Sequence, residues 1–180
     1  MHTINDPVVP FTSPIWENIS PGSRVVIHGK PHHHHGHAQD FAVELISGSD
    51  VYLHANFRFK HGHHKEHHIV MNSCIYNSWA QEIRVKNPIH NDDHFVIIIE
   101  AHASHFDIAV NGHSVASFNH RGPYQAIRAL GIKGEANISK VHFEGFSNYS
   151  VWGGVHDTHS SHYSGYGTAS YNPPTFNQTF

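Results

Sequence analysis

The sequence predicts an all-β protein, an antiparallel sandwich or barrel, on three observations. Ile and Val together number thirty, against three leucines, Leu45, Leu53 and Leu130. β-Branched side chains pack well on a pleated sheet, whereas leucine leads in helices. No window sustains a 3.6-residue apolar period. About ten or more short apolar runs follow one another through close turns, with no segment suited to a crossover helix. Spacing alone does not separate sandwich from barrel.

The elements follow in order. Residues 1–20 hold Pro7, Pro10 and Pro14 with Phe11 and Trp16, which reads as an irregular arm with edge-strand pieces, where proline is tolerated. Pro21-Gly22 marks a turn before a strand over Arg24–His28, and Pro31–Asp40 reads as a histidine-filled loop. Phe41, Val43 and Leu45 alternate in a strand ended by Gly48. Strands are expected over Val51–Phe59, Ile69–Ile75 and Trp79–Val85, the last two joined through Asn77-Ser78. Phe95–Ala101, His105–Val110 and Ser114–Phe118 form a meander, with a type I′ hairpin signal at Asn111-Gly112. Gln125–Ile132 and Asn137–Phe143 make a final pair around Gly134.

The composition then changes. From Phe146 onward there is one formal charge, Asp157, and no Lys, Arg, Leu or Ile. Such a segment buries too little apolar surface to offset its ordering entropy, so residues 1–146 read as the domain and 147–180 as a flexible low-complexity tail or linker.

A net charge of −3 and a pI near 6.8 argue against a nucleic-acid surface. The start MHTINDPVVP lacks the basic and apolar regions of a signal peptide, and no apolar run approaches the ~20 residues that span a bilayer. Cys74, the single cysteine, excludes an intrachain disulfide and reads as a buried core thiol.

The chemistry concentrates between His54 and Arg84. His54, Asn56 and Arg58 alternate on one strand face, Asn72 is the polar break in an apolar run, and Glu82 and Arg84 share a face. Trp79 lies three residues before Glu82, the wrong parity for a straight strand, so a bulge or strand start is expected to re-aim it. Amides, guanidiniums and a carboxylate together donate to and accept from hydroxyls, and an indole covers the C–H face of a sugar ring. The set suits a neutral polyhydroxylated ligand. Taken singly, Arg58, Glu82 and Arg84 would equally suit a cross-strand ion-pair network, Trp79 a core aromatic and His54 a sheet histidine.

In order and spacing these residues resemble the galectin signature H-x-N-x-R, V-x-N and W-x-x-E-x-R. The matches are His54-Ala55-Asn56-Phe57-Arg58, Val70-Met71-Asn72 and Trp79-Ala80-Gln81-Glu82-Ile83-Arg84. Ala80 departs from the glycine usual after the tryptophan, and Ala55 and Phe57 replace the usual Phe and Pro on the opposite face. The resemblance spans roughly residues 8–146. It implies a galectin/concanavalin-like antiparallel jelly-roll β-sandwich of a five- and a six-stranded sheet, with the sugar on the concave sheet. It also implies a non-catalytic lectin for β-galactosides such as lactose or N-acetyllactosamine-type glycans. His54, Asn56 and Arg58 would bind the axial 4-hydroxyl of galactose, Asn72 and Glu82 the 6-hydroxyl, and Trp79 the ring face. Arg84, with Glu82 and Arg58, would reach the next sugar. No cofactor is implied. Partners are β-galactose-containing glycoconjugates, with a homodimer or a second lectin domain after the tail as further expectations. The expected location is cytoplasmic and/or extracellular through signal-peptide-independent export.

Two other classes are weighed against this one. The twenty-three histidines, His32–His35 and His37 and then His61, His63, His64, His67 and His68 above all, suggest a histidine-rich metal-binding protein on a lectin-like scaffold. Loops fix no ligand geometry, so no residue is assigned to metal. A glycoside hydrolase needs two carboxylates flanking the scissile bond. Glu82 is the only acid in the cluster, and Glu66 in the adjoining loop is expected to pair with Arg58 or Arg84, so no enzyme is expected.

Overall fold

A computed structural model describes residues 1–152. Its strands are β1 (His2–Asn5), β2 (Phe11–Pro14), β3 (Arg24–Pro31), β4 (His33–His34), β5 (His37–Ala38), β6 (Phe41–Ser47), β7 (Asp50–Phe57) and β8 (His68–Ile75). There follow β9 (Ser78–Trp79), β10 (Ile83–Lys86), β11 (Phe95–Ala101), β12 (His105–Val110), β13 (His113–Asn119), β14 (Ala129–Gly134) and β15 (Ala136–Glu144). A six-stranded sheet runs β1-β15-β3-β11-β12-β13, and a seven-stranded sheet runs β10-β8-β7-β6-β14-β2 with β9 paired to β8. Every pairing in these two sheets is antiparallel. The expected all-β sandwich is therefore present.

Alternation drives the two sheets together. On β11, Phe95, Ile97, Ile99 and Ala101 are buried while the residues between them are less so. The seven-stranded sheet answers with Leu45, Leu53, Ala55, Phe57, Ile69 and Met71. Phe41 joins the layers, stacking on Phe57 at 4.9 Å within its own sheet and on Phe95 at 5.2 Å from the other. Each such ring contributes roughly 1.5–3 kcal/mol of burial. Unlike β11, strands β6 and β8 are buried along almost their whole length, so their outer face is covered as well. That outer face carries the predicted site.

The sequence expectations change at several points. The sheets have six and seven strands in place of five and six, and the run Trp79–Val85 is broken into β9 and β10. The hairpin into β9 turns at Tyr76-Asn77, one residue earlier than read, with φ of 53° and 60° and Ile75 opposite Ser78. Asn111-Gly112 does make a two-residue turn, with φ of 50° and 85° and Val110 opposite His113. Gln125 belongs to a 3-10 turn over Tyr124–Ala126, and the strand starts only at Ala129. The loop Pro31–Asp40 contains the hairpin β4–β5, turned through positive φ at His35 and Gly36.

The domain also reaches further than composition suggests. Tyr149–Trp152 forms a short 3-10 turn with Trp152 buried against Phe143 at 4.9 Å and Phe146 at 5.0 Å. Its indole N–H donates to Glu17 Oε2 at 2.7 Å. Burial raises the Glu17 carboxyl pKa, but hydrogen bonds from Trp152, Ser147 and Asn148 outweigh this and hold it below the usual range. The remainder of the segment read as tail, 153–180, lies outside the described residues.

Candidate functional site

Two rows of opposed residues cross the outer face of the seven-stranded sheet. One runs Gly131, Glu44, His54, Asn72 from β14 to β8. The other runs Lys133, Ala42, Asn56, Val70, Arg84 from β14 to β10. Opposed residues share a face, so strand register alone gathers four of the seven predicted residues.

Trp79 arrives by a local break, as its parity requires. Cys74 opposes Trp79 and Met71 opposes Ile83, so three residues of one strand face two of the other between them. The break is held by Ala80 N–H donating to Ser73 O at 3.0 Å and by Asn72 Nδ2 donating to Ala80 O at 2.9 Å. A second irregularity, between Val51 and His54, brings Val51 onto this face. Ile46, Val51, Cys74 and Ala129 then form an apolar patch separate from the main core, and Trp79 packs on it. The Trp79 ring meets His54 edge-on at 5.3 Å. Cys74 is buried as expected, and burial, then the charges of Asp50 and Glu44, push its thiol pKa up.

The charged half of the site is a chain of ion pairs. Arg58 donates from Nε to Asn56 Oδ1 at 2.7 Å and from Nη1 to Glu66 Oε1 at 2.5 Å. Arg84 donates from Nη1 to Glu66 Oε2 at 2.8 Å and from Nη2 to Glu82 Oε1 at 2.8 Å. Glu66 thus bridges the two arginines, one carboxylate oxygen to each. Burial raises the Glu66 pKa, but hydrogen bonds from Arg58 and Arg84 outweigh it and hold the group below the usual carboxylate range. Burial disfavours the charge on Arg84, and its bonds to Glu66 and Glu82 more than restore it.

Four further residues around the site, Glu44, Lys133, Arg121 and Asp40, give no signal as a sequence motif. Glu44 accepts from His54 Nδ1 at 2.7 Å and pairs with Lys133 Nζ at 2.7 Å, all three being buried. Arg121 donates to Asn72 Oδ1 at 2.9 Å and to Gln81 O at 2.6 Å, with its guanidinium 4.5 Å above the Phe118 ring. Asp40 is buried and accepts from Phe59 N–H, His64 N–H and His64 Nδ1 at 3.0, 3.3 and 2.8 Å, organising the loop that delivers Glu66. An acid at Glu44, inside an otherwise apolar strand and on the same parity as the site, was the one legible hint.

The seven predicted residues differ in access. Trp79, Glu82 and Arg84 are partly exposed. His54, Asn56 and Asn72 have no exposed surface and Arg58 retains 4%, so the site is a covered floor with an accessible rim. The reason is the polar network itself, which draws Arg58, Glu66 and Lys133 inward onto the face. Asn72 is already committed through Oδ1 to Arg121 and to Ser73 N–H, and through one Nδ2 hydrogen to Ala80 O. An amide nitrogen has two hydrogens, which leaves one for a ligand.

The pattern of galactoside-binding lectins matches residues 10–143. Among curated proteins the chain is similar to "Probable galaptin lec-8" of Caenorhabditis elegans, 41% identical over 99% of this chain and 96% of that one. It is also similar to "Probable galaptin lec-7" of the same organism, 34% identical over 84% of this chain and 82% of that one. The fold is shared with the crystal structure of Caenorhabditis elegans galectin LEC-6, TM-score 0.71 and 24% identity over 79% of this chain and 96% of that chain. Among the described residues no helix is long and apolar enough to cross a membrane. The chain belongs to the galactoside-binding lectins, the galectins, which bind carbohydrate and carry no catalytic activity.

Proposed function

We propose that this lectin binds β-galactosides of the lactose and N-acetyllactosamine type through His54, Asn56, Arg58, Asn72, Trp79, Glu82 and Arg84. The observation that supports it best is that two register rows and one strand break bring His54, Asn56, Asn72, Trp79 and Arg84 to a single sheet face, where Arg58 bonds to Asn56 and Glu82 to Arg84. His54, Asn56 and Arg58 take the axial 4-hydroxyl, and the remaining Asn72 N–H and Glu82 take the 6-hydroxyl. Trp79 covers the apolar face of the ring, and Arg84 reaches the adjoining sugar. An epimer with an equatorial 4-hydroxyl leaves this floor unpaired, which is the physical basis of selectivity.

Because the floor is covered, binding entails side-chain movement at the rim, and uncovering it subtracts from the affinity. A single site should bind at roughly millimolar to micromolar, about −4 to −8 kcal/mol. Strong attachment to glycoconjugates then depends on multivalency, through a homodimer or a second domain beyond the tail. Residues 153–180 act as a tail or linker in this proposal, and the protein works in the cytoplasm and/or outside the cell after signal-peptide-independent export. The test is retention on immobilised lactose, with elution by lactose and not by cellobiose. Failure to be retained, with no signal on any galactose-terminated glycan, overturns the proposal.

A further inference from the structure

The histidine-filled segment before β6 has a definite geometry. β4 and β5 pair through His33 with Ala38 and His34 with His37, which makes the segment a hairpin. His32 and His34 stand two residues apart with their ring centroids 6.0 Å from one another, so the two imidazoles lie together. The His32 N–H donates to Glu135 O at 3.1 Å, placing Glu135 across from His32 at the start of β15. Two more backbone bonds hold the frame, Gln39 N–H to His32 O at 3.3 Å and Glu135 N–H to Asp40 O at 3.0 Å.

We propose that His32, His34 and Glu135 form a binding site for a divalent cation of the zinc class. One ligand atom from each lies within 4.8 Å of the other two. His32 Nε2 and Glu135 Oε2 are 3.9 Å apart, too far for a hydrogen bond. Donors about 2.0–2.2 Å from a tetrahedral zinc stand roughly 3.4 Å from one another, so small rotations of these side chains complete the set. Two neutral imidazoles and a carboxylate favour Zn2+, Cu2+ or Ni2+ over Mg2+ or Ca2+, which take oxygen donors. Water completes the coordination.

The surroundings supply an orienting partner. The Asn137 side-chain amide lies 3.3 Å from His32 Nδ1. A histidine that ligates through Nε2 needs its Nδ1–H accepted, and the amide oxygen does this once the group is turned over. Among the described residues no other set of three His, Cys, Asp or Glu side chains converges in this way, despite the abundance of histidine. Bound metal would tie the hairpin β4–β5 to the start of β15, apart from the sugar-contacting residues.

The test uses the full chain without an affinity tag, stripped with a chelator and titrated with Zn2+ against a competing chromophoric chelator. One strongest class of site, about one equivalent, is expected. His32→Ala, His34→Ala and Glu135→Gln should each weaken it by about tenfold or more. His113→Ala, an exposed histidine on β13, should leave it unchanged. A Co2+ titration adds a direct readout, since visible absorption from a tetrahedral site should appear in the wild type and vanish in the three variants. Circular dichroism checks the fold, which exposed His32 and His34 do not support. Equal uptake by the wild type and the three variants, or equal weakening by His113→Ala, overturns the proposal in favour of diffuse histidine binding.

Discussion

Glu44 Oε2 accepts a hydrogen bond from His54 Nδ1 at 2.7 Å, with both side chains sealed from solvent on adjacent strands. Burial by itself would push the Glu44 pKa up, but the bond from His54 and the charge of Lys133 outweigh it and keep the group ionised. An ionised carboxylate only accepts, so His54 carries its proton on Nδ1 and its ring orientation is fixed. Lys133 in turn stops Glu44 from being an uncompensated buried charge. Glu44 and Lys133 are positioning residues, acting on the sugar through His54.

Glu44→Gln should therefore lower stability by about 3 kcal/mol, because it breaks the buried Glu44–Lys133 ion pair by removing one charge of the two. Adding Lys133→Met should recover part of that loss, since removing both charges removes the desolvation cost. Urea denaturation midpoints of the single and double variants measure this. A double variant no more stable than Glu44→Gln alone contradicts the coupling.

Glu66→Gln should lower lactose affinity by about tenfold, or ~1.4 kcal/mol, with the fold retained. The carboxylate bridges Arg58 and Arg84, and without its charge each guanidinium loses one of the anchors that fix it over the face. Calorimetric titration with lactose reads the change, and thermal melting confirms the fold. Arg84→Ala or Glu82→Ala should cost about 2 kcal/mol of lactose affinity or more, because each removes a proposed sugar contact and breaks the Arg84–Glu82 ion pair beside it.

The pH dependence has a defined sign. Glu44 and Glu66 both have folded-state pKa values below the ordinary carboxylate range. Their stabilisation is fully present above the unfolded-state value of about 4.3 and is lost as pH falls through the lower folded values. Stability should be insensitive to these two groups between about pH 6 and 8 and should fall steeply below about pH 4. Glu44→Gln and Glu66→Gln should each flatten that acid limb. Denaturation midpoints across pH 3–8 provide the measurement, and an unchanged limb in both variants refutes the assignment.

Truncation should separate the docked segment from the rest. Deleting 153–180 should leave lactose affinity within about twofold, on the grounds of its charge-poor composition. Trp152→Ala should instead cost about 3 kcal/mol of stability, because the indole packs on Phe143 and Phe146 and donates to Glu17. Lactose titration of the first and chemical denaturation of the second test the two halves.

What the sequence by itself determined was periodicity and spacing. Alternation in Phe41–Leu45 and Phe95–Ala101 is a local consequence of strand geometry, so the all-β architecture was legible without any partner strand. The parity of His54, Asn56 and Arg58, the Asn111-Gly112 turn and the wrong parity of Trp79 before Glu82 were legible for the same reason. Which residues meet across strands was decided only by the tertiary structure, because register depends on bulges and turns that one strand does not announce. The break around Ala80 and the slip between Val51 and His54 set what lies under Trp79. Pairing of β6 with β14 brought Lys133 to Glu44, and pairing of β4 with β5 turned a histidine run into one side of a defined cluster. Burial was likewise invisible in the sequence. Polar residues at His54, Asn56 and Asn72 suggest an open surface, yet the ion pairs and hydrogen bonds they make with distant partners let the fold close over them.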